Sequence, residues 1–155
     1  MTKQRKRTNK HVPAKGRLRD IADQLWSRAV RSDWDHRCAV CGNGNVEAHH
    51  LVPRQFTATR HVIKNGIALC PNCHKFDPIV SPHLNAAGWI AWLGNHYPYL
   101  REWYFLNQHP VFEGTTNALH YCDIIWELRE YFDEGEWERT AGIRFAAWLE
   151  EQNSA

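Results

Sequence analysis

The chain has no apolar run approaching the roughly 20 residues that a membrane-spanning helix needs. No hydrophobic stretch follows its basic N-terminal residues either, which is not the pattern of a secretory signal. Internal repeats and low-complexity tracts are also lacking. A soluble, cytoplasmic protein with no membrane partner is therefore expected. Its 155 residues, 43% hydrophobic and 23% charged with eight tryptophans, point to one globular domain with a modest core.

A formal net charge of +2 conceals a strong asymmetry. Residues 1–112 carry 16 Lys/Arg against 7 Asp/Glu, whereas residues 113–155 carry 3 against 10. The stretch "MTKQRKRTNKHVPAKGRLR" is the densest basic part. A polyanion contacted by the front of the molecule fits this distribution, and so does a solvated tail.

Cysteine is scarce, yet four of the five are organised as "CAVC" (Cys38, Cys41) and "CPNC" (Cys70, Cys73). In a reducing compartment two C-x-x-C pairs point to a tetrahedral thiolate site for structural Zn²⁺ rather than to disulfides. A redox dithiol or an iron–sulfur cluster would not explain the histidines that crowd around the pairs. Cys122 lies in a helical apolar pattern and reads as a small buried residue.

Residues 1–16 read as a flexible basic arm. Leu18, Ile21, Ala22, Leu25, Trp26, Ala29 and Val30 recur at three-four spacing, which predicts an amphipathic helix ended by "SDWDHR". "GNGN" is turn chemistry, "VEAHHLV" reads as a strand, and "PRQFTATRHVIKN" as a long loop. "GIALC" reads as a second strand, after which Pro71 would open a helix over "PNCHKF". Ser81-Pro82 or Asn85 would start a helix burying Trp89, Trp92 and Leu93, and 99–106 a short one. Thr115 or Thr116 would cap a helix with the stripe Leu119, Cys122, Trp126 and Phe132. A last helix would carry Trp137, Phe145, Trp148 and Leu149. Most tryptophans, including Trp26, Trp89, Trp126 and Trp148, fit core stripes.

Together, "CAVCG", "VEAHHLVPR" and "NGIALCPNCHKFD" resemble an HNH endonuclease, a His-Me finger or ββα-metal nuclease with a four-cysteine zinc site. The resemblance runs from about Cys38 to His83. It implies a zinc-supported ββα-metal core; together with the helices read above, an α+β fold is expected, with that core and its leading helix over residues 17–95 and a helical C-terminal region (96–155) packed on it. It also implies His50 as general base, Asn65 as a supporting residue, and His49 and His74 on a catalytic divalent metal. The family often has Asp where His49 stands. The overall arrangement is similar to phage-encoded nucleases, which would act in the host cytosol, and to stand-alone restriction-type nucleases.

Elementary chemistry agrees with this transfer. Neighbouring side chains on a strand point to opposite faces, so His49 and His50 cannot share one task. A metal occupies the lone pair that a base needs, and adjacent positions divide the labour: His49 for the metal, His50 for the water. Two imidazoles suit Mn²⁺, Ni²⁺ or Zn²⁺ as well as Mg²⁺. His83 is a candidate third metal ligand, phosphate contact or surface residue. Asp77 is either a hydrogen-bond acceptor for a ligand histidine or solvated surface. Arg54 is a candidate phosphate clamp, and Arg17, Arg28 and Arg31 would meet the DNA backbone. The expected partner is DNA, with no small-molecule substrate. The alternative is a catalytically silent zinc-binding nucleic-acid module.

Overall fold

The computed structural model describes residues 14–154. The arm expected over residues 1–16 therefore falls largely outside the described residues, and helix α1 already begins at Ala14. It runs Ala14–Asp33 and buries Leu18, Ile21, Ala22, Leu25, Trp26, Ala29 and Val30, the face its periodicity predicts. Asp35 and His36 then adopt positive φ of 52° and 54°, left-handed backbone that cannot continue the helix.

Two short strands follow, β1 (Glu47–His50) and β2 (Gly66–Leu69), paired antiparallel with Glu47 opposite Leu69 and His50 opposite Gly66. β2 is buried throughout: Ile67 and Leu69 pack in a cluster with Trp89 and Leu93, while α1 packs on the strand and comes close to Gly66. A Cβ there would collide with Val30 and Trp26, so only glycine fits. "NCHKF" forms a single π-type turn, Asn72–Phe76, rather than a lasting helix: Pro78 follows, and Asp77 is already extended. Helix α2 (Ala86–His96) is capped by the Asn85 side chain, which accepts from the Gly88 N–H. It folds back on α3 (Pro98–Leu106).

Helix α4 (Ala118–Leu128) corrects two expectations. Its cap is Asn117, not Thr115 or Thr116, and it buries Tyr121, Ile125 and Leu128 against α1. Leu119 and Trp126 are exposed, at 70% and 46%. The expected stripe has the wrong phase because apolar residues occur all round this helix, and contact with α1 selects the i, i+4, i+7 face. Helix α5 (Glu134–Trp137) leads through a π turn into α6 (Ile143–Asn153), which buries Phe145 and Trp148.

Two apolar clusters result. One joins α1 to α4, α5 and α6; the other joins both cysteine pairs and β2 to α2 and α3. Trp34 packs against both. Among the described residues the fold is thus α+β, mainly helical around one two-stranded sheet. No described helix is long and apolar enough to cross a membrane.

Candidate functional site

The four cysteines of the two pairs come together. Their sulfurs lie within 4.8 Å of one another, Cys41 and Cys70 at 3.7 Å, and none is in a disulfide. That separation far exceeds a sulfur–sulfur bond and is about the edge of a tetrahedron with zinc–sulfur bonds of ~2.3 Å. The chain is shaped to bring them there. The Gly42 N–H donates to the Cys38 carbonyl, with Gly42 at φ 76°, and the Ala39 N–H donates to Ala68 of β2. The Cys73 N–H points at the Cys70 sulfur. Burial pushes the Cys38 thiol up, but backbone N–H groups of Cys70, Cys41 and Val40 outweigh it and bring the thiol down to about 7. Burial pushes Cys73 strongly up. Three buried thiols and the exposed Cys41 are thus in position for a zinc ion.

On β1 the alternation of the strand separates the two histidines. His49 Nδ1 lies 3.0 Å from His74 Nε2, which lies 3.0 Å from His83 Nε2. These three ring nitrogens form a second cluster that could hold a metal ion. His74 is presented by the π turn directly after Cys73, and its Nδ1–H donates to Glu47 Oε2 at 2.7 Å. A hydrogen on Nδ1 leaves the Nε2 lone pair facing the other two rings, the tautomer a metal ligand needs. Glu47 stands two residues before His49 and so shares its face of β1. It also pairs with Lys75 at 3.1 Å. Its hydrogen bond with His74, against the cost of burial, holds the carboxyl below the usual range. Burial and the neighbouring His74, His83 and His50 bring His49 down to about 3, so all but strong acid finds it neutral.

His50 projects to the other side. Its ring stacks on Trp26 of α1, centroids 3.7 Å apart and planes at 10°, and its Nε2–H donates to the Arg60 carbonyl at 2.9 Å. The neutral ring therefore keeps its lone pair on Nδ1. Burial lowers its pKa to about 4, with the Arg60 carbonyl opposing. Asn65, fully buried, closes the loop between the strands: Oδ1 accepts from Val52 N, and Nδ2 donates to the carbonyls of Val52 and Thr59. Asp23 of α1 holds the same loop from outside. Its carboxylate accepts two bonds from the Arg60 guanidinium, at 2.8 and 2.6 Å, and one from His61 at 2.8 Å.

The residues predicted from sequence thus meet in two groups about one small sheet. Residues 38–76 match a family model of HNH endonucleases. The HNH match covers about a quarter of the chain. It contains both cysteine pairs, both strands, His49, His50, Asn65 and His74, and excludes α1, His83 and all helices from α2 onward. No curated protein and no solved structure matches the chain.

Other predicted residues fare differently. Asp77 accepts from the N–H groups of Ile79 and Val80 rather than from a histidine of the cluster. Arg54 is exposed just past His50, and Arg28 is exposed on α1. Arg31 donates to the Ser27 carbonyl, and Arg17 is paired with Glu151 of α6 at 3.1 Å. Glu47, Asp23, Arg60 and His61 escaped the sequence reading, and Trp26 was read only as a core residue. Strand alternation signals Glu47; nothing local signals the others' contacts.

Proposed function

We propose that the protein is a metal-dependent endonuclease that hydrolyses DNA phosphodiester bonds. The observation that carries this reading is the division between His49 and His50. Adjacent on β1, one joins a three-nitrogen cluster with His74 and His83, and the other stands apart with a free, oriented lone pair.

The donor sets fit two metals: four thiols suit structural Zn²⁺, and three imidazoles suit Mn²⁺, Ni²⁺ or Zn²⁺ better than Mg²⁺, which prefers oxygen. A divalent cation at the histidines would stabilise charge on the phosphoryl oxygens and on the leaving alkoxide. His50 takes the proton of the attacking water at Nδ1, while its Nε2–H stays on the Arg60 carbonyl. Glu47 keeps the His74 proton on Nδ1. Asn65 orients the loop that carries the Arg60 carbonyl. Arg54, Arg28 and Arg31 meet backbone phosphates, together with the basic residues ahead of α1; Arg17, engaged with Glu151, contributes less.

Supercoiled-plasmid cleavage tests the reading, with EDTA, Mg²⁺, Mn²⁺ and Ni²⁺ in parallel. Metal-dependent conversion to open circle is expected, and His50→Ala should abolish it while keeping its zinc and fold. A folded, zinc-loaded wild type that binds plasmid but cuts neither plasmid, junctions, single strands nor RNA would instead favour the silent binding module.

A further inference from the structure

We propose that helix α1, outside the matched HNH segment, clamps His50 through Trp26 and Asp23, which act as positioning residues. The proposal rests on the reading of His50 as the base.

A single hydrogen bond from Nε2 to the Arg60 carbonyl leaves the imidazole free to swivel about that bond. The indole of Trp26 removes this freedom by lying parallel to the ring at 3.7 Å. Trp26 is itself immobilised, 2% exposed, with its Nε1–H donating to the Val62 carbonyl at 2.9 Å. Asp23, three residues earlier and so on the same face of α1, holds the side chains of Arg60 and His61. The helix therefore grips three successive loop residues, Arg60, His61 and Val62. The first of them supplies the carbonyl that orients His50.

This arrangement does more than fill space. A leucine at position 26 would also bury apolar area, but it offers neither a flat face for the imidazole nor an N–H for Val62. A base must be held to within about 0.5 Å and 10–20° to work, and a misplacement of about 1 Å costs on the order of 100-fold in rate.

The test uses the full chain loaded with metal. Trp26→Leu should lower kcat about 100-fold, with little change in KM for DNA or in metal content. Trp26→Phe, which retains a stacking face, should keep most of the activity. Long-range ¹⁵N–¹H spectra supply a readout independent of cleavage. In the wild type His50 should show one tautomer, protonated at Nε2; in Trp26→Leu it should exchange between tautomers. Asp23→Asn, which leaves the core intact, should lower kcat several-fold at unchanged KM and decides the matter if Trp26→Leu does not fold. Unchanged kcat in Asp23→Asn, or a Trp26→Leu variant with full kcat and a single His50 tautomer, would overturn the clamp. Should the wild type prove inert as a nuclease, the tautomer comparison still tests the clamp while the function alone fails.

Discussion

Asn65 and Val52 form a closed amide pair across the loop that separates the two strands: Val52 N donates to Oδ1 at 2.7 Å, and Nδ2 donates to the Val52 carbonyl at 3.0 Å. With a third bond to Thr59, one buried side chain replaces the backbone ladder that the loop lacks. Asn65→Ala leaves a buried N–H and two carbonyls without partners. It should cost about 2–4 kcal/mol, read as a lowered urea midpoint at unchanged slope.

The cysteine cluster should behave as one unit. Cys70→Ser or exhaustive chelation is expected to abolish binding of one zinc per chain. Because Cys38, Cys70 and Cys73 belong to the same buried cluster as Trp89 and Leu93, near-UV circular dichroism should fall with it. Retention of the signal without zinc would show that this half folds on apolar contacts alone.

Asp23 makes stability depend on acidity. Burial raises its pKa, but the hydrogen bonds from Arg60 and His61 overcome this and hold the carboxyl well below the usual range. A carboxylate with a lowered folded-state pKa stabilises fully above its unfolded value of about 3.9 and loses that contribution as pH falls through the folded value. The stability difference between wild type and Asp23→Asn should be about 1–2 kcal/mol at pH 6, allowing for partial solvent screening, and should shrink below about pH 4. Urea titrations of both proteins across that range check the sign.

Helix α4 provides a paired comparison. Ile125 is fully buried against α1, whereas Leu119 on the same helix is 70% exposed. Ile125→Ala should cost about 2–4 kcal/mol and Leu119→Ala less than about 0.5 kcal/mol, measured by denaturation. The opposite ranking would restore the stripe that periodicity suggested.

Much of the site was legible in the residues because it depends on short-range geometry. C-x-x-C spacing brings two sulfurs of a knuckle together, alternation sends His49 and His50 apart, and the position of His74 directly after Cys73 ties it to the second knuckle. The periodicity of α1 likewise named its buried face. Each of these follows from backbone repeats of two to four residues. What required the folded chain was how helices and loops distant in sequence dock on one another. Leu119, Tyr121, Cys122, Ile124, Ile125 and Trp126 surround α4 so evenly that only docking on α1 selects a face. Arg17 looked free for phosphate until α6 brought Glu151 to it. Trp26 had the signature of a core residue and is one, yet the imidazole it stacks on lies 24 residues away in sequence. Local pattern says that a side chain is buried, while the axial rotation and approach of two elements determine which atom it meets.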